Sequence, residues 1–71
     1  MNILKNVFVE GFGNVEDDIL GINTSEGGFC IDEKEIPDAW VKLDNYMKNN
    51  ITICFSYEEG LLGHNFIRKL N

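Results

Sequence analysis

From residue 51 to residue 58 apolar and polar side chains alternate without a break. Ile51, Ile53, Phe55 and Tyr57 fall on one side, and Thr52, Cys54, Ser56 and Glu58 on the other. A period of two, carried by β-branched and aromatic residues, predicts a strand with one buried face. Residues 3–12 use the same residue types, with Val7 and Val9 on one face and Phe8 and Phe12 on the other, and predict the first strand. Gly11 and Gly13 weaken its end or mark a bulge, and the polar residues 14–18 turn the chain so that 19–24 runs back as a second strand. Ser25-Glu26-Gly27-Gly28 carries the glycines that short hairpin loops need, and Phe29-Cys30-Ile31 follows as the third strand.

The period then changes. Ile36, Ala39 or Trp40, Leu43, Tyr46 and Met47 recur at intervals of three and four, which is helical spacing. Pro37 holds Ile36 extended and preorganises the first helical turn. Asp38 in that turn and Lys48 in the last suit the helix dipole, and Asn49-Asn50 provides a stop. Residues 60–70 match both periods, but Gly60 and Gly63 favour a strand entered by a turn at Glu58-Glu59-Gly60. The resulting order, β-β-β-α-β-β, predicts a single α+β domain over residues 1–71. A mostly antiparallel sheet of about five strands would carry one helix on one face, leaving its other face or an edge strand available.

Length supports one core and no more. A chain of 71 residues buries only about 60% of the surface its unfolded form exposes, so self-association is a natural source of extra stability. The composition, 44% hydrophobic and 25% charged, is that of a folded globular chain rather than a disordered one. No apolar run approaches membrane-spanning length, and Met1 to Asn6 lacks the apolar core of an export signal, so a cytoplasmic location is expected. In that compartment Cys30 and Cys54 are expected to be free thiols acting as small apolar side chains.

Charge changes the picture more than composition does. Nine of the twelve acidic residues lie between Glu10 and Asp38 against the single base Lys34, a local formal charge of −8 within a total of −6. Two surface elements carry most of it, the turn Glu16-Asp17-Asp18 and the connector 32–38. A concentrated field of one sign bears on partners and encounter rates.

Catalytic patterns are missing from the sequence. His64, the single histidine, has no HxxxH, CxxC or HExxH companions, so no metal ligands are assigned. Ser25 and Ser56 lack a nucleophile-elbow context. Gly11-Phe12-Gly13 is followed by acids instead of a helix N-terminus and suits a bulge better than a phosphate loop. The triplet 16–18 lacks the alternating ligands of a calcium loop. No catalytic or cofactor-binding residue is assigned, and a non-enzymatic protein is expected. A small enzyme or ligand-binding module centred on His64 and a cysteine is a further alternative. Direct nucleic-acid binding is disfavoured because only six bases are present, with Lys5, Arg68 and Lys69 offering at most a small patch.

The acidic segment therefore carries the functional expectation. If its two elements share a side of the sheet, Glu16, Asp17, Asp18, Asp32, Glu33, Glu35 and Asp38 present a negative surface flanked by Phe29 and Trp40 as aromatic anchors. That surface suits a basic protein, such as a nucleic-acid-handling enzyme whose phosphate path it would block. Antitoxins, immunity proteins and phage-encoded inhibitors of host enzymes or defence systems share this physical description. Met1, Lys5, Val7, Phe8, Phe12 and Asn14 resemble the opening strand of the Dmd phage antitoxins, which act against a host messenger-RNA endonuclease; the resemblance is confined to the first fourteen residues and implies no site residue. A homodimer or larger assembly built through an exposed sheet edge, with acidity serving solubility, is the alternative of a different class.

Overall fold

Between Val7 and Val9 the chain leaves one outer strand of a sheet and enters the other, with Phe8 alone between them. The computed structural model describes residues 2–70, which form six strands and one helix: β1 (Asn2–Val7), β2 (Val9–Glu16), β3 (Ile19–Thr24), β4 (Gly27–Asp32), α1 (Ala39–Lys48), β5 (Ile53–Glu59) and β6 (Asn65–Leu70). The strand order is β1-β5-β6-β4-β3-β2. In a flat sheet of this order the outer strands would stand about 24 Å apart, at about 4.8 Å per step. Two peptide units reach at most about 7 Å. The sheet must therefore roll up until its outer strands meet, and the molecule is correspondingly small, with a radius of gyration of 10.9 Å.

Neighbouring strands are antiparallel except β4 and β6, which run parallel and are bridged at Cys30 and Phe66. Taken as one bent strand, residues 2–16 pair with β5 through their first half and with β3 through their second. This is the connectivity of the five-stranded, partly open Greek-key barrel known as the OB-fold.

Local chemistry produces the bend. Asn6 adopts a left-handed conformation (φ 57°), one that asparagine tolerates better than most residues, where the β1–β5 register slips between Leu4 and Val7. Ser25 in the β3–β4 turn then pins the crossing: the Phe8 N–H donates to Ser25 Oγ (3.1 Å), and the Ser25 N–H donates to the Phe8 carbonyl (3.0 Å). The buried Thr24 holds that turn together, its hydroxyl donating to the Gly27 carbonyl (2.8 Å) and accepting the Glu26 N–H (3.0 Å).

The core fills the inside of the rolled sheet. Val7, Val9, Leu20, Ile22, Phe29, Ile31, Ile53, Phe55, Ile67 and Leu70 come from strands, and Ile36, Ala39 and Leu43 from the connector and helix. Phe29 meets Phe55 and Tyr57 edge-on, each at 5.0 Å between ring centroids. Bulges adjust the alternation expected from sequence. A register shift between Val9 and Gly11 adds one residue to β2 and returns Phe12 to the side of Val7 and Val9, where it packs on the core. Another between Ser56 and Tyr57 lets Ile67 and Leu70 both be buried although they are three residues apart.

Helix α1 begins two residues beyond Pro37, with Asp38 at the N-cap position instead of inside the first turn. It ends as expected at Asn49-Asn50. Asn50 is left-handed (φ 51°), and the Ile51 N–H donates to the Tyr46 carbonyl (2.9 Å), closing a Schellman-type cap. The helix lies against β2 and contributes Ala39 and Leu43 to the core. The α+β class is as expected, and so is the element order once β1 and β2 are counted as the single first strand. The first strand is broken in two, one strand pair is parallel, and the rolled sheet replaces an open one. Among the described residues no helix is long and apolar enough to cross a membrane.

Candidate functional site: an acidic end and the groove beside it

The two acidic elements lie side by side. Asp17 and Asp18 form the tight β2–β3 turn, with Asp18 left-handed (φ 62°), a conformation its short polar side chain tolerates. The β3–β4 ladder runs out to the pair Ile19–Asp32, and one step further the Glu33 N–H donates to the Asp18 carbonyl (2.8 Å). Side chains reinforce the junction: Asn14 Nδ2 donates to Glu33 Oε1 (3.1 Å), and Lys34 Nζ stands 3.8 Å from Asp18 Oδ2.

Asp32 shapes the connector. Its carboxylate accepts the Lys34 N–H (2.9 Å), and its carbonyl accepts the N–H groups of Glu35 (3.0 Å) and Ile36 (3.1 Å). The chain curls here, burying Ile36 and leaving Glu35 exposed. Arg68 enters from β6, where its guanidinium pairs with Glu35, approaches Glu58 Oε2 (3.7 Å), and stacks 5.6 Å from the centre of the Phe66 ring. One end of the barrel thus gathers Glu16, Asp17, Asp18, Asp32, Glu33, Glu35 and Glu58 around two bases, Lys34 and Arg68. Arg68 is drawn into this end instead of joining Lys5 and Lys69 in a basic patch.

The remaining residues expected at the site lie elsewhere. Asp38 turns along the helix toward Lys42 (3.6 Å). Trp40 is 44% exposed but packs edge-on against Phe12 of β2 (4.9 Å). Phe29 is buried in the core, so it cannot act as a surface anchor; alternation placed it correctly in a strand but could not say which face the roll of the sheet would enclose.

Another apolar surface stands beside the acids. An open groove of about 750 Å³ is lined by Val15, Ile19, Cys30, Leu62 and Phe66, with Glu16, Asp32 and Arg68 also on its wall. Val15 and Leu62 are strongly exposed, and Ile19, Cys30 and Phe66 are half-buried. The groove adjoins a saddle on the outer face of β2, β3 and β4 lined by Gly11, Gly13, Gly21 and Gly28; Val15, Cys30 and His64 border both. Periodicity could not find this surface, because it lies on the outer, solvent face of the strands. Leu62-Gly63 in a turn, where Asn-Gly is usual, was the available signal.

His64 and Cys30 share the groove, whereas Cys54 lines a different surface with Lys5 and Tyr46. Burial pushes the Cys30 thiol above its ordinary range, which keeps it protonated and weakly nucleophilic at neutral pH. Among the described residues no three His, Cys, Asp or Glu side chains are placed to hold a metal ion, and no buried side-chain polar atom lacks a partner. The arrangement offers apolar contact ringed by carboxylates, which is recognition chemistry. Comparison with protein-family models, with curated proteins and with solved structures finds no match for this chain.

Proposed function

We propose that this chain binds a protein with a basic surface and inhibits or regulates it, in the manner of an antitoxin, an immunity protein or a phage-encoded inhibitor of a host nucleic-acid enzyme or defence system. The observation that carries the reading is the junction of Asp18 with Glu33, which merges two acidic loops into one end of the barrel. Mutual repulsion among these carboxylates opposes folding, and it is offset in part where Asp32 holds the Lys34 N–H, Glu33 accepts from Asn14 Nδ2 and Glu35 pairs with Arg68. Their concentration suits steering, which raises association rates with an oppositely charged partner by about 10- to 1,000-fold.

Barrels of this connectivity often bind oligonucleotides through the outer face and adjoining loops. Fold alone does not assign that function, and here the corresponding surface offers one base, Arg68, already paired with Glu35 and Glu58, beside Glu16 and Asp32, where phosphates would need several Lys and Arg. A cytoplasmic enzyme that itself presents a basic groove is the better electrostatic match. The test is capture from native cell extract, with the wild-type chain and a Glu16→Gln, Asp17→Asn, Asp18→Asn variant as parallel baits. A basic protein retained by the wild type and lost from the variant supports the reading. Recovery of the chain alone favours assembly through a sheet edge instead.

A further inference from the structure

We propose that the groove beside the acidic turn receives a basic, amphipathic segment of the partner, and that Leu62 at its lip is held ready as the apolar anchor of that contact. The inference rests on the reading above and adds which surface is used and what chemistry the partner must present.

Leu62 is 94% exposed, the most open of the large apolar side chains among the described residues, and Val15, also lining the groove, is 63% exposed. The backbone at Leu62 is left-handed (φ 60°, ψ 23°) and is followed by Gly63 at φ 76°. Two successive left-handed residues are the centre of a type I′ turn, where Asn-Gly is the usual pair, and the Gly60 N–H closes the loop onto the His64 carbonyl (2.6 Å). Leucine has no polar side chain to offset the clash of its Cβ in that conformation. Neither burial nor backbone preference therefore calls for leucine here. Backbone strain that the fold does not require clusters at functional sites.

The surroundings define the occupant. Val15, Ile19 and Phe66 supply an apolar floor, while Glu16 and Asp32 stand on the wall. Arg68 lines the groove as well, but it pairs with Glu35 and Glu58, so the wall stays net acidic. A segment bearing an apolar side chain between Lys or Arg residues matches both parts at once, with the apolar contact at the centre and the ion pairs at the rim. A second copy of this chain does not match, since a two-fold contact here would set the acidic walls against each other.

The test uses the full chain, 15N-labelled, titrated with two synthetic peptides of equal charge, Lys-Phe-Lys-Phe-Lys-Phe-Lys and Lys-Ser-Lys-Ser-Lys-Ser-Lys. The expected result is tighter binding of the phenylalanine peptide, with shifts centred on the amides of Val15, Ile19, Leu62 and Phe66. Leu62→Asn and, independently, Val15→Ser should each weaken it by about five- to tenfold, the loss of an anchor, without changing binding of the serine peptide. If both peptides bind alike, shift only residues 16–18 and 32–35, and ignore both substitutions, the groove is overturned while the acidic steering reading stands. If neither peptide shifts any amide, both fail.

Discussion

The backbone N–H of Glu33 donates to the carbonyl of Asp18 at 2.8 Å, tying the β2–β3 turn to the start of the connector. Charges that are separate runs in the sequence thereby become one surface. The bond belongs to the backbone, so conservative substitutions of Glu16, Asp17 and Asp18 leave the junction standing and report chiefly on charge, whereas the Glu33 side chain also accepts from Asn14.

Asp32 has a structural role as well, because its carboxylate holds the Lys34 N–H. Asp32→Ala should lower unfolding free energy by about 1 kcal/mol, the usual contribution of such a bond. Asp32→Asn keeps the accepting oxygen and should recover most of the loss. Urea unfolding of the two variants separates the structural role of Asp32 from its charge.

Ser25 secures the place where the sheet rolls up. Ser25→Ala removes the acceptor of the Phe8 N–H while the reciprocal backbone bond survives. A loss of about 0.5–1.5 kcal/mol is expected, together with faster amide hydrogen exchange at Phe8 and its neighbours. Unchanged exchange would show that the surviving backbone bond and the packing of Val7 and Val9 hold the crossing without the Ser25 hydroxyl.

Leu62→Asn places a residue suited to the left-handed region at a position that leucine occupies with strain. The folded chain should gain about 0.5–1 kcal/mol, raising Tm by several degrees. Higher stability coupled to weaker peptide binding is the signature of a residue kept for contact. Thermal unfolding followed by circular dichroism measures the first half of that pair.

The Cys30 thiol, raised by burial, gives a pH dependence with a definite sign. A folded-state value above the unfolded one stabilises the protein fully below the unfolded thiol pKa of about 8.5, and that stability is lost as pH rises past it. The urea midpoint of the wild type should therefore fall more steeply than that of Cys30→Ala as pH rises above the unfolded thiol value. Parallel profiles would show that the partial burial of Cys30 at the groove is too slight to shift the thiol.

Much of the fold is legible in the sequence because period and turn chemistry are local. The alternation through Ile53, Phe55 and Tyr57, the helical spacing of Ala39 and Leu43, and the Asn49-Asn50 stop all correspond to elements in the structure. The closure of the sheet is not local. It depends on Phe8 meeting Ser25 and on the parallel bridge between Cys30 and Phe66, and neither leaves a periodic trace. The candidate site divides in the same way. Glu16 to Asp18 and Asp32 to Glu35 were visible as a charge run, whereas their junction required the register of β3 with β4. A strand pattern gives Phe29 two possible faces without saying which is enclosed; the structure buries it, and the exposed apolar role passes instead to Val15 and Leu62.

The central claim is that the acidic end steers a basic protein partner, and the association rate of the captured partner as a function of ionic strength tests it most directly. For the wild type the rate should fall steeply as salt rises and the Debye length shrinks from about 30 Å at 0.01 M to about 8 Å at 0.15 M. Glu16→Gln, Asp17→Asn, Asp18→Asn should start slower at low salt, flatten that dependence and leave folding stability within about 0.5 kcal/mol. A rate indifferent to salt, or identical in wild type and variant at every ionic strength, would contradict the account.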